Sequence, residues 1–61
     1  MKVGDLISYI VPSDNKSYIA LVVAKDKSGC PWIRWLDDNQ LEPLDNYDGC
    51  LQYFEVISES R

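Results

Sequence analysis

"YIALVVAKDKSGCPWIRWLDD", Tyr18 to Asp38, decides the fold class. Its first nine residues, Tyr18 to Asp26, are apolar at odd and even positions alike, as in a strand covered on both faces or a strongly curved barrel strand. On a strand, Ile19, Leu21 and Val23 share one face while Ala20, Val22 and Ala24 share the other. "KDKSG", Lys25 to Gly29, then supplies turn residues with a glycine suited to positive φ, so it reads as a hairpin turn. A further strand is expected from Cys30 to about Leu36. Pro31 cannot donate a ladder hydrogen bond and belongs among the first residues of that strand or on an edge, with regular pairing beginning after it.

The period of two separates the two tryptophans, which stand three positions apart. Trp32 and Arg34 project to one side of the strand, Ile33 and Trp35 to the other. Ile33 with Trp35 is the more apolar pair, which assigns Trp35 to the core. Trp32 is expected on the outer face, where Arg34 keeps its head in water.

Outward from this hairpin the pattern repeats. "VGDLISYIV", Val3 to Val11, is rich in β-branched and aromatic residues and stops at the turn cluster "PSDNKS", so it reads as a first strand. After "LDDN" the chain enters an irregular acidic excursion over residues 37–49, containing Pro43 and Gly49. "CLQYFEVI", Cys50 to Ile57, is the last strand-like run, and the polar "SESR" follows as a tail. Short Val-, Ile- and Tyr-rich runs between Gly, Pro, Asn and Ser clusters oppose a helical reading. The expected fold is all-β, four or five short strands bent into a small barrel that removes most free edges.

Composition narrows the function. A chain of 61 residues buries only about 60% of its unfolded surface, so its stability is marginal and its large aromatic side chains matter most. Six Lys and Arg against ten Asp and Glu give a net charge of −4; that balance repels a phosphate backbone, and no direct nucleic-acid partner is expected. No apolar run approaches the ~20 residues of a membrane span, and the first residues lack a secretory h-region. The protein is expected to be soluble and intracellular, with no membrane partner. Cys30 and Cys50 lie far apart in a chain without histidine. No metal ligand set is therefore expected, and two free packed thiols are preferred to a disulfide.

At this point the order of residues resembles a known group. "MKVGDLISY" at the start, "YIALVVAKD", the "IRW" strand followed by "LDDN", and "FEVISES" at the end are similar to small SH3-like barrel proteins of tailed bacteriophages, including cyanophages. The pattern of that group is M-x-V-G-D-L-V, a G-I-V-V strand, V-x-W and a closing L-E-V-I-S. Ala20 stands near the usual glycine, and the 37–49 excursion is longer than usual. The resemblance implies one SH3-like domain over residues 1–61, about five short antiparallel strands, and an interaction module acting in the host cytoplasm or the virion. Its motifs specify a fold rather than a reaction.

Catalysis is not expected: there is no His, no Gly-rich phosphate loop and no Ser or Cys beside an evident base, so neither enzyme activity nor a cofactor is assigned. Asp37 and Asp38 sit in a turn, where carboxylates usually cap backbone groups. The aromatic set Tyr9, Tyr18, Trp32, Tyr47 and Tyr53 fits either a core or a groove for a peptide or cationic side chain. Asp37, Asp38, Glu42, Asp45 and Asp48 form either a solvated loop or an acidic patch for a basic partner. The residues expected to bind a host or phage protein are Trp32, Arg34, Asp37, Asp38, Glu42 and Tyr47, Trp and Arg being typical interface anchors. A structural or assembly component of the virion is the alternative, and a nucleic-acid-associated barrel of the transcription or ribosomal-factor type is disfavoured by charge.

Overall fold

The computed structural model describes residues 1–59, all β-strand, 3₁₀ turn and loop, with no α-helix among them. The strands are β1 (Leu6–Val11), β2 (Lys16–Lys25), β3 (Pro31–Trp35), β4 (Leu41–Pro43) and β5 (Phe54–Ser58). They form one antiparallel sheet in the order β4-β3-β2-β1-β5. This is the small all-β, barrel-like architecture expected from the alternation of strand and turn signals.

Ten-residue β2 is the spine. Lys16 to Leu21 pair with β1, and Ala20 to Lys25 pair with β3. The register slips between Val22 and Ala24, a bulge that bends the strand and sharpens its twist. Ile7, Ala20, Val22 and Ile33 are fully enclosed, joined by Cys30, Trp35 and Leu44. With a single sheet, seven such residues are sheltered only if the sheet curls around them. Of the two β2 faces, the Ala20–Val22 face is the inner one, while Ile19, Leu21 and Val23 are half-buried outside. Small side chains face inward because Ala20 lies between Ile7 on one neighbour and Trp35 on the other.

The hairpin turn forms as its sequence indicates. Asp26 N–H donates to the Cys30 carbonyl at 3.0 Å, and Gly29 adopts φ +89°. The Asp26 carboxylate accepts from the Ser28 and Cys30 amides and from the Ser28 hydroxyl, an Asx-type cap that organises the turn. Pro31 is the first residue of β3, opposite Lys25, so pairing begins at the proline rather than after it.

Several boundaries differ from expectation. β1 begins at Leu6 and not Val3, because Gly4 takes φ +98° inside a turn closed by the Asp5 amide on the Lys2 carbonyl. β2 begins two residues early, at Lys16 opposite Val11. The 37–49 excursion holds β4 and a 3₁₀ turn, Leu44–Tyr47, which carries Leu44 into the core. Cys50 to Ile57 is not one strand: Leu51–Tyr53 is a second 3₁₀ turn, closed by Tyr53 N–H on the Cys50 carbonyl, and only then does β5 start. Of the "SESR" tail, Ser60 and Arg61 lie outside the described residues.

Candidate functional site

Inward-facing positions continue past the core to one end of the barrel. Two residues beyond Ile7 stands Tyr9, two before Ala20 stands Tyr18, and two beyond Ile33 stands Trp35. Each keeps the parity of the core residue, so each side chain points to the inner side of the sheet. Tyr9 and Tyr18 are cross-strand partners, Trp35 lies opposite Ala20, and Glu42 lies opposite Ile33. The core stripe thus ends in three aromatic rings and a carboxylate.

The rings meet closely. Tyr9 stacks on Phe54 with centroids 4.6 Å apart, and Tyr47, delivered by the first 3₁₀ turn, lies 5.5 Å from Tyr9 and 5.8 Å from Trp35. Tyr18 meets Trp35 edge-on at 6.4 Å. Such tilted and offset geometries suit the quadrupoles of the rings. They enclose an open-mouthed pocket of about 230 Å³, lined by Tyr9, Tyr18, Trp35, Asp37, Asp38, Gln40, Glu42 and Tyr47.

Glu42 is fixed in the pocket wall. One of its oxygens accepts from Trp35 Nε1–H at 2.5 Å and from the Tyr47 hydroxyl at 2.6 Å. The Tyr47 bond, then the Trp35 bond, hold the Glu42 carboxyl below the usual carboxylate range. Burial, and next the bond to Glu42, push the Tyr47 hydroxyl up to about 12. Burial, and next the neighbouring Cys50, also raise Tyr9. At neutral pH Glu42 is therefore ionised and the Tyr9 and Tyr47 phenols are protonated. All three shifts move the groups away from neutrality, whereas proton transfer needs a group titrating near it.

Asp37 and Asp38 reach the rim on the β3–β4 loop. That loop is closed by Asn39 N–H on the Trp35 carbonyl at 2.8 Å, with Asn39 at φ +64°, and by Gln40 N–H on Asp38 Oδ1 at 3.1 Å. Three carboxylates line the pocket, and among the described residues no Lys or Arg does.

The structure divides the six residues expected to bind a partner. Asp37, Asp38, Glu42 and Tyr47 converge on the pocket. Trp32 and Arg34 lie on the other face of β3, opposite Pro43 and Leu41 of β4. There Trp32 is half-buried, its Nε1–H donating to Asp26 Oδ2 at 3.3 Å, and Arg34 is exposed. Among the other aromatics, Tyr9 and Tyr18 join the pocket; Tyr53 does not. Trp35 is buried as expected, 8% exposed, but it also forms a pocket wall. The signal that finds it is the continuation of the core parity to the strand ends, where an inward residue is half core and half mouth.

Cys30 is buried, Cys50 half-buried, and both are free thiols. The described residues hold no metal-ligating cluster and no helix long and apolar enough to cross a membrane. No protein-family model, curated protein or solved structure matches this chain.

Proposed function

We propose that this protein is a non-catalytic binding module that holds a partner protein by a cationic side chain seated in the ring-lined pocket. The observation that carries this reading is the lining itself: among the described residues, four aromatic rings and three carboxylates around one cavity, and no basic residue. A Lys or Arg head over aromatic faces gains about 0.5–2 kcal/mol from the ring quadrupoles, more when desolvated. The ionised Glu42 adds a charge whose position is already set by Trp35 and Tyr47, so little ordering remains to be done on binding. Acidic surroundings and the net charge of −4 favour a basic partner and speed its approach.

The resemblance to phage barrels frames this as a viral module working on a host or phage protein, in the host cytoplasm or the virion. A second reading, a component of the virion or its assembly, is favoured by one observation: β5 ends the sheet as an edge strand with Val56 and Ile57 exposed, the kind of edge through which copies pair.

The test is a titration of N-acetyl-arginine amide, with N-acetyl-citrulline amide as the neutral isostere, followed by the Trp35 indole N–H resonance. Arginine is expected to shift that resonance saturably and citrulline to leave it in place. Glu42→Gln and added salt should both weaken the response. Equal shifts with the two compounds, or none with either, would refute the cationic reading.

A further inference from the structure

Three of the rings that line the pocket pack against one another. The centroids of Tyr9, Trp35 and Tyr47 stand 5.5, 5.8 and 6.1 Å apart, and their planes are inclined to one another by 55–70°. These are the proportions of a shallow three-walled funnel. A cation resting about 4 Å above the plane of the three centroids lies about 5 Å from each, inside the ~6 Å reach of a ring quadrupole. Phe54, which does not line the pocket, stacks on Tyr9 and braces it, so Tyr9 keeps its other face for a ligand. The charge in this funnel comes without a matching set of acceptors. Glu42 Oε2 already accepts from Trp35 Nε1–H and from the Tyr47 hydroxyl, so the carboxylate cannot present two open oxygens to a guanidinium fork. Asp38 Oδ1 is likewise engaged by the Gln40 N–H, and Asp37 and Asp38 are exposed at the rim.

We infer that the ring pocket selects a fully N-methylated ammonium head, the side chain of a trimethylated lysine in the partner, over unmodified lysine and arginine. This rests on the proposed function and names the class of ligand. An arginine head brings several N–H donors and a lysine head three, and a donor pressed against a ring face gives up its water without gaining an acceptor. A quaternary ammonium brings no donor. It keeps the charge that Glu42 and the ring faces attract, and its methyl groups pack on the rings. The hollow of about 230 Å³ has room for such a head and the end of its stem. Charge at the mouth separates two sources of this chemistry. A choline headgroup carries a phosphate close behind its nitrogen, which Asp37 and Asp38 repel, whereas the stem of a lysine is uncharged along its length.

The experiment is a titration of the whole chain, followed by the Trp35 indole N–H resonance, with the N-acetyl amides of trimethyllysine, lysine and arginine. Two further probes are phosphocholine and the uncharged analogue of trimethyllysine in which carbon replaces the quaternary nitrogen. Trimethyllysine is expected to bind about five- to tenfold tighter than lysine or arginine, the factor that relieving roughly one unmet hydrogen bond would give. The carbon analogue and phosphocholine should each fall below trimethyllysine by at least as much. Lysine or arginine binding as tightly as trimethyllysine overturns the selectivity and leaves the cationic pocket standing. If none of the three cations shifts the resonance, both readings fall. A carbon analogue as tight as trimethyllysine overturns both as well, since the hollow would then answer to shape and not to charge. Phosphocholine as tight as trimethyllysine would assign the pocket to a lipid headgroup and overturn the protein-borne ligand.

Discussion

Replacing Trp35 by alanine removes the side chain shared by core and pocket, and its cost can be worked from its surroundings. The indole is 8% exposed and lies against Tyr9, Tyr18, Tyr47 and Phe54 with centroids 5.8–6.4 Å away. Buried Trp-to-Ala changes cost about 3–5 kcal/mol. A domain of this size has a total stability of about 3–9 kcal/mol at ~0.05–0.15 kcal/mol per residue, so Trp35→Ala is expected to be mostly unfolded or close to it. Trp35→Phe retains an apolar ring but removes the N–H bonded to Glu42, which Tyr47 still serves; an intermediate loss of about 1–2 kcal/mol is expected. Trp32→Ala, on the half-buried outer face, should cost about 1 kcal/mol. The assay is urea unfolding followed by far-UV circular dichroism. With a slope of about 1 kcal/mol per molar, Trp32→Ala should move the midpoint by roughly 1 M while Trp35→Ala loses its folded baseline. A cooperative Trp35→Ala transition within about 0.5 M of the wild type, or a larger loss for Trp32→Ala, would refute the assignment of inner and outer faces.

Two further outcomes follow from the same geometry. Glu42 has a depressed folded pKa, so its contribution to stability is complete above its ordinary value of 4.5 and is lost as pH falls through the folded value; Tyr47 is raised from 10.0, so its contribution is complete below pH 10 and is lost as pH rises through about 12. Denaturation midpoints measured against pH should therefore decline at both ends, with Glu42→Gln flattening the acid limb and Tyr47→Phe the alkaline one; unchanged limbs would contradict the bonds drawn between these groups. Ala20→Leu, at a fully enclosed position between Ile7 and Trp35, should overpack the barrel and cost about 1–3 kcal/mol, and a neutral effect in the same urea assay would show that the sheet closes less tightly there.

Strand parity made much of this legible from the sequence. The alternation in "WIRW" separates Trp35 from Trp32, and the doubly apolar "YIALVVA" identifies β2 as a spine, because both signals are local and periodic. The excursion over residues 37–49 hid β4, whose three residues are too few to show alternation and include Pro43. Cys50 to Tyr53 reads as strand by composition but turns as a 3₁₀ segment, since a closing backbone hydrogen bond leaves no compositional mark. The pocket was half legible. Asp37, Asp38, Glu42 and Tyr47 could be selected for charge and aromaticity, yet grouping them with Tyr9, Tyr18 and Trp35 needs the cross-strand register, which pairs residues far apart in sequence. Trp32 and Arg34 are adjacent to the site along the chain but separated from it by the thickness of the sheet.

The barrel has two ends of unlike character. Tyr9, Tyr18, Trp35 and the 36–40 loop crowd one end, while the Asp26-capped hairpin and the Gly4 turn, whose N–H donates to the Val22 carbonyl, close the other. Lys27 and Ser28, exposed at the tip of that hairpin, are thus the natural place for a handle. A fluorophore, surface tether or inserted epitope there would project away from the mouth, and the molecule could be immobilised with its ring pocket facing outward.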